Sequence, residues 1–235
     1  MEGVAVIAVL GCVPALALVG LLVGLIAYSR RRERDRRDVL QQWAMQHGWT
    51  VVPAPNVDWG SRLPGRNRRG VSLALFGAIG GYRVSVAEYS YTETHTSTSG
   101  DGMGGTTTTT SSHSHPYVVI VVHLDEPHPA ISVQPRTAVS RIGQVLFGDA
   151  GPMTGDQNFD KHYRVAGDPV AVGQFIGPAL RAEHLAGTVP LWALHQTELM
   201  TYRPGRIDSP HQIPNLAASL IRVAALLRVK DQRKL

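Results

Sequence analysis

The chain has 235 residues, a formal net charge of +5 and a single cysteine, Cys12. One cysteine excludes an intrachain disulfide and a cysteine-based zinc site. Six arginines between positions 30 and 37, opposed by Glu33 and Asp35, supply a net +4 of the charge (six minus two). The excess is therefore a local cluster, and the rest of the chain is not the strongly basic surface that binds nucleic acid.

The first element is an apolar N-terminal segment. Residues 3–29 contain no charged side chain, and about 20 apolar residues are enough to span a bilayer. A secretory signal peptide needs a basic start and a shorter apolar stretch. A lipoprotein signal at Cys12 fits poorly, because the apolar stretch continues far beyond that cysteine. We therefore predict an uncleaved, single-pass transmembrane anchor over residues 1–29.

A basic helix is predicted directly after the anchor, over residues 30–48, with Gly48 as its stop. Positively charged flanks stay in the cytoplasm, so we predict the N-terminus outside the cell membrane and the folded part in the cytoplasm. The arginines of this helix either only set this topology or also contact anionic lipid headgroups or a partner. They are Arg30, Arg31, Arg32, Arg34, Arg36 and Arg37.

Residues 49–229 are predicted to form one cytosolic domain, followed by a charged tail at 230–235. Stretches of strand-forming residues bounded by Gly and Pro predict strands in its first half. These are Trp49–Val52, Val71–Phe76, Tyr82–Tyr91, Tyr117–Leu124 and Ala130–Pro135, with a loop over 53–70 and a turn at 125–129. We expect the last four strands to form an antiparallel meander.

The second half of the domain mixes strands with helices. Asp168 before Pro169 starts a helix with a kink near Gly177, and Ser209 with Gln212 forms a capping box before the last helix. The further strands are Phe159–Val165, Leu191–His195 and Glu198–Tyr202. Because strands gather early and helices late, we predict an α+β fold: a transmembrane helix, then a mainly antiparallel sheet with two or three packed helices.

The stretch THTSTSGDGMGGTTTTTSSHSHP (94–116) lies between two predicted strands. It has almost no apolar side chains to offset the entropy of ordering, so residues 92–116 are predicted to be a disordered loop at a hairpin tip. A literal G-x-G-x-x-G occurs at 100–105, but a dinucleotide motif must open a helix, and five threonines follow this one. We therefore predict no cofactor.

Two other roles for this stretch are open. Its serines and threonines could be phosphorylated and then pair with arginines. His95, His113 and His115, with Glu93 or Asp101, are candidate ligands for zinc or nickel, because residues at i and i+2 of a strand point the same way. Glycine and serine on both sides give such ligands little support. No specific metal site is predicted.

Two groups of titratable residues could carry chemistry. The first follows a strand at HLDEPHP, where a turn with solvated charges is the simpler interpretation. The second is Glu183 with His184, which lacks the spacing of a helical metal motif and is predicted to be a solvent-facing pair. No nucleophile elbow or phosphate loop occurs, so no catalytic residue is assigned. The members of the first group are His123, Asp125, Glu126 and His128.

The loop over 53–70 contains a second basic group close to Trp59. Arginine beside an aromatic ring can hold nucleic acid or a phosphorylated headgroup, and the plainer interpretation is a solvated loop near the membrane. We expect no nucleic-acid partner, because no recognition motif accompanies the charge. The group comprises Arg62, Arg66, Arg68 and Arg69.

The segments RLPGRNRRGV, VSVAEYSYTET, FDKHYRV and ELMTYRPGRI are spread over most of the soluble part. With these segments behind an N-terminal anchor, the chain resembles a loose group of uncharacterised single-pass membrane proteins of high-GC Gram-positive bacteria. The resemblance implies no activity and transfers no catalytic residue.

Three hypotheses for function follow. The first is a membrane-anchored cytosolic interaction or scaffold protein, because the chain combines an anchor and a basic flank with no catalytic motif. The second is a module that binds anionic lipid or a small ligand. The third is an enzyme of hydrolytic type, less favoured than the others. It would need two or more residues of one set in a single pocket, namely His123, Asp125, Glu126, His162 and Glu183.

Overall fold

The computed structural model of the protein describes residues 2–63, 70–100, 106–136 and 153–228. The chain divides into two units, Met1–Trp43 and Ala44–Leu235. It has the α+β composition predicted from the sequence, with a mainly antiparallel sheet and several helices. The elements are α1 (Glu2–Gln46), β1 (Thr50–Pro53), a 3-10 helix (Asp58–Arg62), β2 (Val71–Ile79), β3 (Tyr82–Gly100), β4 (Thr106–Pro135), α2 (Gln157–His162), β5 (Tyr163–Gly167), α3 (Pro169–Phe175), α4 (Pro178–Leu185), β6 (Trp192–Pro204) and α5 (Gln212–Arg228).

Most of α1 makes up the first unit. It is one helix of 45 residues, so the basic helix predicted over 30–48 is its C-terminal part and ends at Gln46. Its side chains are described from Gly20 onward. Among the residues described in this way, no helix of the chain is both long and apolar enough to cross a membrane. The transmembrane anchor over residues 1–29 is therefore not supported by the described residues and stays a prediction.

Six strands form one antiparallel sheet in the second unit, with β4 at its centre. Strands β1 to β5 are neighbours in chain order, and β6 also pairs with β4. Along one edge β4 pairs with β3 and then with β5, while β6 lies along its other edge. We predicted that the segments beginning at Val71, Tyr82 and Tyr117 form neighbouring antiparallel strands, and this prediction is confirmed.

Strand β4 runs without reversal through residues 125–129, where two strands joined by a turn were predicted. Between His123 and Ile131 its register with β6 shifts twice, which is the effect of bulges. Gln196, opposite His128, has a left-handed φ of 53°. The chain bends here without turning back, because both halves of β4 keep their pairing with β6.

The threonine-rich stretch is largely strand, so the prediction of a disordered loop over 92–116 is wrong for its described residues. Beyond the rest of the sheet, β3 and β4 pair at ten further positions, from Tyr91 with His115 to Gly100 with Thr106. Threonine is β-branched and fits a pleated strand. This preference outweighs the low apolar content from which disorder was predicted. Residues 101–105 lie outside the described residues. Residues 91–100 and 106–115 are named the ribbon below.

Helix α2 occupies the first half of the strand predicted over 159–165. The Asp156 carboxylate accepts hydrogen bonds from two backbone N–H groups of the first turn, at 3.1 Å each, so the chain turns helical before β5 begins. The predicted cap at Asp168 is confirmed by equivalent hydrogen bonds at 2.9 and 3.1 Å. The predicted kink near Gly177 is a complete break between α3 and α4.

Both faces of the sheet are buried around β4. On one face, Trp59 and Leu63 from the segment of the 3-10 helix pack in a core with Tyr89, Tyr117 and Met200. Helix α5 contacts β3, β4 and β6 and buries one apolar stripe. Its buried apolar residues are Ile213, Ala217, Leu220, Val223, Ala224 and Leu227.

Candidate functional site

Polar side chains replace apolar ones at one end of the sheet face that the 3-10 helix covers. Arg83, His123 and Glu198 are register partners in a row across β3, β4 and β6. Register partners point to the same face of a sheet, so this row adjoins the apolar core. Ser85 and Arg62 contact two members of the row. We name Arg62, Ser85, His123 and Glu198 the polar corner.

A hydroxyl and an imidazole meet in the polar corner. Ser85 Oγ lies 2.8 Å from His123 Nε2. Burial, and then the charge of Arg83, lower the pKa of His123 below its usual range, so this imidazole is neutral at neutral pH. A neutral imidazole in contact with a serine hydroxyl is the arrangement that acyl-transfer enzymes use to activate a nucleophile.

The polar corner does not present that nucleophile to solvent. Ser85 is 0% exposed, so a substrate cannot reach its hydroxyl in this conformation. An acidic residue that orients the imidazole completes the arrangement in enzymes, whereas Glu198 pairs with Arg62 here. The Ser85–His123 contact is therefore a partly buried hydrogen bond in the sheet, in which the serine hydroxyl is not accessible.

Arg62 and Glu198 form a partly buried ion pair, with side chains 27% and 21% exposed. Burial raises the pKa of Glu198, an effect that Arg62 opposes and Asp58 reinforces. Burial also lowers the pKa of Arg62, against the attraction of Glu198. For both partners the loss of hydration outweighs the mutual attraction. The pair ties the 3-10 helix to β6.

Disrupting this pair is expected to destabilise the domain. The variant Arg62→Met retains an apolar stem but leaves Glu198 without its cation, which costs about 1–3 kcal/mol of unfolding free energy. Since burial already favours the protonated form of Glu198, this loss should shrink as the pH falls through the pKa of that carboxyl. Urea unfolding at several pH values measures both effects, with Glu198→Gln as the isosteric comparison. An unchanged urea midpoint in Arg62→Met would contradict the structural role.

Glu198 and Ser85 were not predicted from the sequence to be members of a site. Ser85 lies on the β3 face that also bears Ala87 and Tyr89, and a serine in such an inward row is the available signal. Glu198 meets Arg62 across 136 positions of sequence. No local pattern indicates a contact over that separation.

The group predicted at HLDEPHP is not assembled into a site. Asp125 and Glu126 are exposed in the irregular part of β4, and the His128 ring meets Phe175 edge-on with centroids 5.3 Å apart. His162 lies on α2, where its Nδ1 is 2.9 Å from the Asn158 carbonyl oxygen. The residues that the enzyme hypothesis would combine lie on β4, α2 and α4, with separate neighbours, which weighs against that hypothesis.

Glu183 and His184 were predicted to be a solvent-facing pair, and this prediction is wrong for His184. Glu183 accepts hydrogen bonds from Arg222 and Thr188, which lower the pKa of its carboxyl to about 2. His184 is 1% exposed, and its Nε2 accepts a hydrogen bond from Trp192 Nε1 at 3.0 Å. Successive residues of a helix point about 100° apart, so one of the two faces the core.

The arginines predicted to contact headgroups or a partner differ in their surroundings. Arg36 and Arg37 donate to the Glu33 carboxylate at 2.9 and 3.0 Å, and these contacts, that of Arg36 first, lower the pKa of Glu33. The exposed members of the group are Arg30, Arg31, Arg32, Arg34 and Arg37, and of these Arg37 already pairs with Glu33. Arg30, Arg31, Arg32 and Arg34 are therefore the cations best placed to meet an external anion.

The second basic group is only partly described. Arg62 belongs to the polar corner, which corrects its interpretation as a solvated loop cation, and the other three arginines lie outside the described residues. Trp59 is buried in the core, so it is not the exposed ring that stacks on a base or a headgroup. The three arginines outside the described residues are Arg66, Arg68 and Arg69.

One face of the ribbon carries the histidines that the sequence offered as metal ligands. Glu93 Oε2 lies 3.4 Å from His95 Nε2 and 4.0 Å from His115 Nε2. The rings of His95 and His113 have centroids 6.5 Å apart. As the side chains stand, no group of three or more His, Cys, Asp or Glu in the described part of the chain could hold a metal ion.

Comparisons with known proteins add a distant likeness. No family model matches the chain, and no curated protein matches it in sequence. Among solved structures it is similar to the crystal structure of the mycobacterial trehalose monomycolate transport factor A, with a TM-score of 0.48 and 15% sequence identity. The match covers 82% of this chain and 94% of that chain. A likeness this distant carries no statement about function.

Proposed function

We propose that the protein is a membrane-anchored interaction module, held by α1 with its N-terminus outside and its α+β domain in the cytoplasm. The observation that carries the proposal is the exposure of every residue from Gly20 to Tyr28. Leu21, Val23 and Ile26 point to different sides of α1, since successive residues turn by about 100°. A helix that is apolar all round needs an apolar environment, and a bilayer supplies one.

The sequence on either side of this exposed stretch supports the same arrangement. Residues 3–29 carry no charge, and the arginine cluster follows at once. Basic residues at the end of an apolar helix favour the cytoplasmic side. Arg30, Arg31, Arg32 and Arg34 are exposed there, where each would gain about 1 kcal/mol from an anionic membrane surface. Contact with anionic lipid is therefore the second function that we propose.

A protein partner is proposed over a substrate because of what the domain exposes. The polar corner is closed, whereas the ribbon offers strand edges. Beyond Ser90 and Pro116, the described parts of β3 and β4 pair with each other and with no other strand. Free strand edges are surfaces to which another chain can add a strand.

Membrane fractionation with topology reporters tests this proposal. The full chain should stay with membranes after alkaline carbonate washing, and deletion of residues 3–29 should release it. A C-terminal phosphatase that is active only after export should be inactive on the full chain. Replacing Arg30, Arg31, Arg32 and Arg34 by Glu should reverse part of the population and raise the phosphatase signal. Release of the full chain by carbonate would refute the anchor, and strong phosphatase activity would refute the orientation.

A further inference from the structure

We infer that one face of the ribbon binds a single divalent transition-metal ion of zinc type. The ligands are Glu93, His95 and His115, with His113 as the fourth. Imidazole nitrogens with one carboxylate form a donor set that suits Zn²⁺. This site is independent of the function proposed for α1 and of the polar corner.

Two separations between ligand atoms lie at or near the spacing around a shared ion. A tetrahedral ion with bonds of about 2.1 Å holds its ligand atoms roughly 3.4 Å apart. The separation of His95 Nε2 from Glu93 Oε2 is 3.4 Å, and that of His115 Nε2 from the same oxygen is 4.0 Å. One carboxylate oxygen thus already stands close to both imidazole nitrogens, and a small shift of His115 completes the spacing.

The fourth ligand is brought in by a side-chain rotation. His113 is the register partner of Glu93 on the neighbouring strand, so both side chains leave the same face. His113 is exposed, so its side chain is not packed in the core. This rotation of His113 and the small shift of His115 separate the present arrangement from one that encloses an ion.

The backbone and an aromatic stack support the site. Tyr91 stacks on His115 with ring centroids 5.2 Å apart, and Tyr117 lies parallel to Tyr91 at 6.0 Å and 4°. Tyr117 belongs to the buried core. Through this stack the His115 ring is held in place by the folded domain. Ligands need such outer support to bind a metal specifically. The sequence alone did not show this support.

An ion at this position would clip the two strands of the ribbon together. Two-stranded ribbons are marginally stable on their own in water. Because Glu93 and His95 lie on β3 while His113 and His115 lie on β4, an ion bound to all four would favour the paired state over the frayed one. Metal binding should therefore order the ribbon as well as occupy the site.

Zinc titration of the full chain in detergent micelles tests the inference. Calorimetry should show one tight site near neutral pH, lost in acid because histidine binds metal only when unprotonated. Glu93→Gln and the double variant H95A/H115A should each weaken affinity by at least about tenfold. Amide hydrogen exchange of the ribbon should slow when zinc is added to the wild type.

His211→Ala removes an exposed histidine elsewhere and serves as the matched control. It should bind zinc as tightly as the wild type. Equal affinity in H95A/H115A and the wild type would overturn the inference, as would a wild type that binds no zinc. All these substitutions change side chains outside the core, so circular dichroism should show an unchanged fold.

Discussion

The free energy of unfolding of the sheet domain is expected to fall by about 3 kcal/mol as the pH is lowered from about 6.5 to about 4, because His184 is buried in its neutral form. Burial lowers the pKa of His184 from 6.5 to about 4, and each pKa unit corresponds to about 1.4 kcal/mol. As the pH falls, the imidazole takes up its proton at a higher pH in the unfolded chain than in the folded chain. The stability is therefore complete above pH 6.5 and is lost as the pH falls through the folded-state pKa.

The surroundings of His184 explain why the folded state resists protonation. Aromatic rings enclose it, with the centroids of Phe159 and Tyr163 at 5.9 and 5.1 Å. Because Nε2 accepts the Trp192 N–H, the proton of the neutral ring lies on Nδ1, which has no hydrogen-bond partner among the described residues. Protonation would remove the acceptor that Trp192 uses and place a charge among these rings.

The variant His184→Gln isolates this effect, because glutamine keeps an acceptor for Trp192 and does not titrate. Urea unfolding at a series of pH values should give a profile about 3 kcal/mol flatter than that of the wild type over this range. His123 contributes in the same direction but is present in both proteins, so the difference reports His184. His162→Gln, at an exposed position, should follow the wild type. Parallel profiles for His184→Gln and the wild type would exclude the buried imidazole as the source.

Features encoded by neighbouring residues could be predicted from the sequence. Asp168 with Pro169 marked the start of α3, and Ser209 with Gln212 marked the approach to α5, because capping signals are local. The strand-forming residues over Tyr82–Tyr91, bounded by glycine, marked the start of β3. These local rules produced the order β2–β3–β4 and the α+β class.

Features that depend on distant contacts could not be predicted. The burial of His184 depends on Trp192, which belongs to β6 and not to the helix that carries the histidine. Arg62 was grouped with loop cations because its carboxylate partner lies far along the chain. The ribbon was missed for a different reason: low apolar content suggested disorder, although threonine favours strand pairing.

Replacing Gly77 by alanine is expected to destabilise the domain by about 3 kcal/mol, because the added carbon would overlap the indole of Trp49. The pairing of Thr50 with Phe76 sets Trp49 beside Gly77 at the edge of the sheet. A Cβ atom at residue 77 would lie 2.2–2.5 Å from three carbons of that ring. Because Trp49 is buried, the added Cβ atom can be accommodated only if the backbone is strained or the indole moves out of its packing.

A matched glycine and a double-mutant cycle separate this clash from a general effect of alanine. Gly173 lies in α3, where an added Cβ meets nothing within 4 Å, so Gly173→Ala should leave stability unchanged or raise it by up to about 1 kcal/mol. In a Trp49→Ala background, Gly77→Ala should cost far less than in the wild type, since the ring that it strikes is absent. Chemical denaturation of the four proteins of the cycle gives the coupling energy. If Gly77→Ala costs the same in both backgrounds, the indole is not what requires glycine at residue 77.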